Sequence, residues 1–166
     1  MRIKNILISI CIAITTLSMN AQSNISDEGV EVNGITWATS NVGATNPEDY
    51  GNLYTWDEAQ NACPAGWVLP TIEAFMKLAE TNSEWITING KNGHKFGSGN
   101  DTLFLPATGM HGTNGSVSSV GSYGLYWGYL APRPSYMYFL ILDSNGVSPA
   151  ELNTLFFKMS VRCVKR

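Results

Sequence analysis

The chain has 166 residues, with 10 Lys and Arg against 13 Asp and Glu, and three cysteines. A formal charge of −3 repels phosphate backbones and argues against a nucleic-acid partner. The length suits one domain of ordinary size, able to bury roughly two thirds of its unfolded surface, and no apolar run reaches the roughly 20 residues of a membrane-spanning helix.

Arg2 and Lys4 precede an apolar run from Ile6 to Leu17, and "SMNAQS" contains the small Ala21. This is the pattern of a signal peptide over residues 1–21, cleaved after Ala21. The rival processing route, lipid attachment at Cys11, is disfavoured because Ile10 is not small and the apolar run continues past it. Losing the first 21 of 166 residues leaves 145, with eight Lys and Arg against 13 Asp and Glu, a formal charge of −5.

Export leaves two thiols, Cys63 and Cys163, in a compartment where oxidised pairs persist, so one pairing is possible. Closing a loop of about 100 residues stabilises by up to about 4.7 kcal/mol in the chain-entropy model, and more typically by about 2–4. The alternative is two buried free thiols.

In chain order, residues 22–31 are a polar lead-in and 32–166 the domain proper. "VNGITWAT" predicts two short strands about an Asn33-Gly34 turn, and "SNVGATNPEDYGN" a loop. Thr55 with Glu58 makes a capping box for a first helix. Asp57 and Glu58 sit at the positive end of its dipole. Trp56, Ala59, Ala62 and Cys63 lie on its apolar stripe, and Pro64 ends it. A second helix is expected from Thr71 to near Asn82, with Ile72, Phe75, Met76 and Ala79 on its apolar face.

From residue 85 the pattern changes to short strands and turns, with Asn89-Gly90, Asn92-Gly93 and "GSGN" as turn signals. "TLFLPA" reads as a buried strand. "TGMHGTNGSVSSVGSYG" shows no apolar period and reads as a long surface loop. "LYWGYL" and "SYMYFLIL" follow, the second apolar on both alternating faces from Tyr136 to Leu142, as in an interior strand. "DSNG" turns the chain. In the last segment Leu155, Phe157, Met159, Val161 and Cys163 alternate with Lys158, Ser160 and Arg162, which predicts that the polar set faces away from the core. The alternation is firmest from Met159 on.

The helix-one stretch "W..A...C...GW.LPT..E" and a disulfide from an early helix to the last strand resemble the C-type lectin-like fold. The implied class is α+β: two helices near the N-terminal half on a short-stranded antiparallel sheet, a long irregular loop, and one disulfide, Cys63 to Cys163. A closer resemblance is to the Fibrobacter succinogenes major paralogous domain family of exported bacterial proteins. It is carried by "VNGITWATSNVG", "YGNLYTWDEAQNACPAGWVLPT", "LFLPATG", "GLYWGYL" and "SVRCVKR", over about residues 30–166. Val68 stands where that family often carries Arg, and Gly128 where Ser is usual. The resemblance implies a cell-surface or secreted protein, in some cases with an adhesive or fimbria-related setting, and no general catalytic activity. The lectin-like label does not itself carry sugar binding.

Chemistry-bearing motifs are sparse. Calcium-dependent sugar sites need clustered hard oxygens, and Glu-Pro-Asn, Gln-Pro-Asp and Trp-Asn-Asp are all missing. Asn100, Asp101, Asn114 and Asp143 are potential ligands, but such residues in turns usually bond their own backbone. Formylglycine-generating or copper chemistry, suggested by the "RC" near the end, needs a reactive cysteine pair, and this pair is expected to be structural. His94 and His111 fall in glycine-rich segments that read as exposed loops. Serines 116, 118 and 119 stand near His111 with no carboxylate to orient it, and no phosphate-binding loop occurs. "DTL" at 101–103 resembles a short O-glycosylation acceptor, although Leu103 opens a strand.

Trp37, Trp56, Trp67 and Trp127 read as core. A ligand face is expected on the stretch 97–124, with Asn100, Asp101, His111 and Tyr123 as its residues. The expectation is a secreted, non-catalytic recognition or adhesion module for a surface glycan or protein, without cofactor or metal. A structural or fimbria-associated subunit comes second and an enzyme third.

Overall fold

The structure is a computed structural model that describes residues 28–99, 101–131, 133–151 and 156–166, with the backbone alone for 133–136. The expected signal segment, Cys11, most of the expected lead-in, Asn100, Leu155 and the Tyr136 side chain lie outside the described residues.

A hairpin opens the domain: β1 (Val30–Val32) and β2 (Ile35–Trp37) pair through Asn33 and Gly34, both at positive φ (49° and 74°). That geometry matches the strands' twist and is the reason Asn-Gly suits the turn. α1 (Trp56–Ala59) then starts on the expected capping box. Glu58 N donates to Thr55 Oγ1, and Thr55 N donates to Glu58 Oε2 at 2.8 Å. β3 (Trp67–Val68) is followed by α2 (Ile72–Ala79), capped by Thr71, whose Oγ1 accepts from Ala74 N.

β4 (Ser83–Ile88), β5 (Lys91–Ser98) and β6 (Asp101–Pro106) form one antiparallel sheet, with Asn89-Gly90 as the turn between the first two. β7 (Met110–Gly112) and β8 (Val117–Ser118) make a small hairpin. β9 (Gly124–Leu130), β10 (Arg133–Asp143) and β11 (Gly146–Glu151) form a sheet with β10 in the middle. β12 (Phe157–Lys158) pairs with β7. β13 (Val164–Lys165) runs between β2 and β3, so both ends of the domain share one sheet.

The β9–β10–β11 sheet is buried on both faces. Tyr126, Leu140 and Leu142 join a cluster with Trp37, Phe75 and Phe96, while Leu125 and Trp127 join Trp56, Met159 and Val161. The apolar run of β10 is explained by this double burial. The four tryptophans expected in the core are there, Trp37 and Trp127 at zero exposure and Trp56 and Trp67 at 7%. The disulfide joins Cys63 to Cys163 with Cα atoms 5.9 Å apart.

The α+β, C-type lectin-like expectation is overturned: the described chain is mostly strand, in four small antiparallel sheets. α1 has only four residues. Its pattern continues to Cys63, but Pro64 disfavours helix in the residue before it and its ring clashes with the carbonyl four residues back. On α2 the buried face is Ala74, Phe75 and Leu78, while Met76 is half exposed. The long irregular loop is also absent, since residues 110–118 pair as β7 and β8 and β7 pairs again with the remote β12. Asn92-Gly93 is not a turn but the middle of β5, where Gly93 lies against Leu105 and Pro106.

Alternation fails in the last segment, because Ser160 and Arg162 are as buried as Met159, Val161 and Cys163. The segment threads between the loop after β2 and strand β9. Val161 O and Cys163 O accept from Val42 N and Ala38 N, and Ser160 bonds Leu125 and Trp127. A strand enclosed on every side has no outward face.

Candidate functional site

Of the residues expected to form a ligand face, Asn100 lies outside the described residues, and Asp101 lies at the opposite end of β6 from His111 and Tyr123. Asp101 is exposed at the start of β6, paired with Ser98. His111 and Tyr123 belong to the segment beyond the other end of that strand, where the Tyr123 carbonyl accepts from Gly109 N at 2.6 Å. Both are half-buried. His111 Nε2 lies 2.8 Å from the Thr108 carbonyl, which only accepts, so Nε2 is the donor of that bond. Asn114 Oδ1 accepts from Ser116 N and Asp143 Oδ1 from Asn145 N, the turn-capping roles expected of them. Thr102 of "DTL" is half-buried within β6.

His94 is not in an exposed loop. It sits in β5 at 4% exposure, edge-on to Trp85, with Nε2 2.7 Å from the Asp143 carbonyl and Nδ1 buried without a partner. Glycines on either side of it suggested a loop, but Gly93 is there because a Cβ would strike the Leu105 carbonyl.

Sequence reasoning also missed Arg162, which is fully buried. Its Nε donates to Asn41 Oδ1 at 2.9 Å and Nη1 to the Ala38 and Thr39 carbonyls at 3.1 and 2.9 Å. Nη2 reaches the Pro47 carbonyl at 3.4 Å. The cation thus gathers the loop after β2. Asn41 also approaches the Tyr126 hydroxyl, which donates to the Pro106 carbonyl at 2.7 Å. Burial pushes the Tyr126 phenol well above its ordinary pKa, against the opposing pull of Arg162 and Asn41, so it stays a neutral donor. A lone Arg beside Cys163 in an otherwise apolar segment was the available signal.

A concave feature of the surface lies elsewhere, at the disulfide. A cleft of about 730 Å³ runs between the turn after α1, β3 and the end of β9. Trp56, Trp67 and Tyr129 line it together with Gln60, Asn61 and Arg166, and Cys63 is in its wall. Local bonds set each wall. Trp127 lies edge-on to Trp56 at 5.4 Å and donates from Nε1 to the Tyr54 carbonyl. Trp67 N closes the turn onto the Pro64 carbonyl at 3.0 Å, with Gly66 at φ 85°. Tyr129 N donates to the Pro70 carbonyl, and Arg166 N to the Gly66 carbonyl, each at 3.1 Å. Lys165 Nζ lies 5.0 Å from the Trp67 ring centre.

Gly128, beside Tyr129, lies under α2. A Cβ there would stand 3.0 Å from both Phe75 Cδ2 and the Pro70 carbonyl oxygen, and closer still to Phe75 Cε2. This is why the position takes glycine in this chain. Val68 packs its side chain against the first core cluster.

Among the described residues no group of three or more His, Cys, Asp and Glu is placed to hold a metal ion, and no helix is long and apolar enough to cross a membrane.

Fold and cleft together define a disulfide-closed, antiparallel β domain with a recess beside the disulfide. The chain belongs to the Fibrobacter succinogenes major domain family, whose profile matches residues 13–165. No curated protein and no solved structure matches it.

Proposed function

We propose that this protein is an exported, non-catalytic recognition or adhesion module that binds a surface glycan in the cleft beside the disulfide. The observation that carries the reading is the recess itself. Aromatic side chains with a few polar groups are the usual make-up of a small-ligand site, and here half-buried Tyr129 and the edges of Trp56 and Trp67, each 7% exposed, stand with Gln60 and Asn61. Aromatic surface suits the C–H faces of sugars, and each amide offers both donors and an acceptor to hydroxyls. Export and cleavage after Ala21 belong to the same proposal, as does a disulfide that holds one wall of the site.

The test is a glycan-array screen of the oxidised protein, followed by Tyr129→Ala and Gln60→Ala. Binding lost in both variants, with melting temperatures unchanged, supports the cleft. Binding that survives both but disappears in His111→Ala would move the site to the 97–124 stretch. Retention of no glycan would remove the reading.

A structural or fimbria-associated subunit draws on a different feature, the six-residue strand β4, which among the described residues pairs with β5 alone. An open edge of that length is a template for another strand.

A further inference from the structure

We infer that strand β4 is an interface to a second copy of this chain, the two strands pairing antiparallel about a two-fold axis centred on Trp85. The inference deepens the subunit reading and rests on the same open edge, not on the cleft. Hydrogen-bond parity shows which backbone groups are open. Gly97 N donates to the Asn82 carbonyl at 3.3 Å, and Ala107 N to the Asn92 carbonyl at 2.7 Å. Antiparallel partners alternate between bonded and non-bonded pairs. Asn82, Glu84, Ile86 and Ile88 therefore bond β5, while Asn92, His94 and Phe96 of β5 turn their backbone groups to β6. The N–H and C=O groups of Ser83, Trp85 and Thr87 point away from β5, and among the described residues none of them has a partner.

This edge lacks the devices that keep strand edges apart, namely Pro, Lys, bulges and short length. Pro149 guards β11, and β1, β3, β8 and β12 have three residues or fewer. β4 has six residues with no Pro and no Lys, and it pairs with β5 from Ser83 to Ile88 without a register shift. Its one charge, Glu84, is matched within the chain by Lys95 at 2.6 Å. Trp85, the tryptophan outside the buried set, stands half-buried near the middle of the strand, edge-on to His94.

The strand is complementary to itself in one register. With Trp85 facing Trp85 of the second copy, Ser83 faces Thr87 and Thr87 faces Ser83. All three open residues of each strand then fall in bonded pairs, with two hydrogen bonds in each. Glu84 faces Ile86, so no like charges meet, and the two indoles form a cross-strand aromatic pair. Centring the pairing on Glu84 instead sets two carboxylates opposite each other, which is destabilising. Centring it on Ile86 puts Ser83 opposite Asn89, which lies in the turn at φ 47° and continues no strand. Another protein's strand would satisfy the open amides equally, but the agreement of amides, charge and aromatic centre on a single two-fold register favours a second copy.

The experiment is sedimentation velocity of the full exported chain, oxidised, over a concentration series reaching about 1 mM. An equilibrium between monomer and dimer is expected. Ile86→Glu places an acid opposite Glu84 of the other copy, twice by symmetry, and should weaken the dimer about 10-fold, whereas Ile86→Lys should hold or tighten it. Ser83→Pro removes an outward N–H at the first strand residue, where proline is tolerated, and should weaken the dimer by about the same factor. Melting temperatures check the fold of each variant, and Ser83→Pro carries the test where Ile86→Glu does not fold. Equal weakening by Ile86→Glu and Ile86→Lys overturns the register. A monomer throughout the series overturns the proposal and leaves glycan recognition in the cleft standing. A dimer that none of the three substitutions weakens overturns the β4 assignment but keeps the subunit reading, and a ladder of species beyond the dimer overturns the closed two-fold arrangement.

Discussion

Replacing Arg162 by Met is the sharpest test of how the interior is held. Met keeps much of the packing volume of the aliphatic stem and removes the donors. Among the described residues at least four oxygens lose a partner: Asn41 Oδ1 and the carbonyls of Ala38, Thr39 and Pro47. An acceptor left dry costs about 1–3 kcal/mol. Pro47 is exposed and its contact is long, and Thr39 is half-buried, so water offsets much of their loss. Asn41 and Ala38 are fully buried, at 0% and 2% exposure, and carry the main cost. Two such groups give about 2–6 kcal/mol, with a centre near 4. A domain stabilised by roughly 5–15 kcal/mol would keep its fold but lose a large share of its margin. Guanidinium unfolding of the oxidised protein, followed by tryptophan fluorescence, reads the loss as a lowered midpoint. Arg162→Lys should fall between the two, because one ammonium cannot reach all four oxygens. Adding Asn41→Leu to Arg162→Met should cost little more, since the two sites share one network. An Arg162→Met variant within about 1 kcal/mol of the parent would refute the reasoning.

Further outcomes are expected. Gly128→Ala forces the Phe75 ring or the Pro70 carbonyl to move and should destabilise by about 1–3 kcal/mol; its cost should shrink in a Phe75→Leu background, and equal costs in both would exclude this contact as the cause. Replacing both cysteines by Ser opens a loop spanning 100 residues and should cost about 2–4 kcal/mol. Alkylation without reductant should add no label to protein cleaved after Ala21, which lacks Cys11, whereas two labelled sulfurs would show that the bond does not form in it. Limited treatment with glutathione should place the mixed disulfide on Cys63, because Cys63 is in the cleft wall and Cys163 is 1% exposed; the attacking thiolate bonds to Cys63 Sγ and Cys163 leaves as a thiolate. Finally, Lys91, and after it Asn46, holds the Asp49 carboxyl below its ordinary pKa, and the Thr55 backbone N–H followed by its hydroxyl does the same for Glu58. Groups depressed by folding stabilise above their unfolded pKa and cease to do so as pH falls through the folded value. Melting temperature should therefore decline less steeply between about pH 5 and pH 2 in Asp49→Asn/Glu58→Gln than in the parent, and parallel declines would show that these bonds do not form in solution.

Much of this protein was readable in one dimension wherever cause and effect lie within a few residues. The Asn33-Gly34 and Asn89-Gly90 turns and the capping box of Thr55 and Glu58 are local sterics and local hydrogen bonds, and the structure has all of them, whereas the first helix ends at Ala59, short of the expected stop at Pro64. The apolar run of β10 and the burial of four tryptophans followed from composition alone, since such segments have few other places to go. Cys63 and Cys163 could be paired because the expected cleavage after Ala21 would leave no other cysteine.

Tertiary structure decided what depends on neighbours remote in the chain. Residues 110–118 are strands because β12 returns to pair with β7 from more than forty residues away, which no local period records. His94 and Arg162 are buried because polar atoms from other segments receive them: the Asp143 carbonyl for one, and Asn41 with the Ala38 and Thr39 carbonyls for the other. The cleft likewise exists only where residues 56–69, 129–131 and 166 meet. Side chains written as core by their apolar character show an edge to a recess that assembly alone creates, because a cavity is a property of how surfaces fit and not of any stretch of residues.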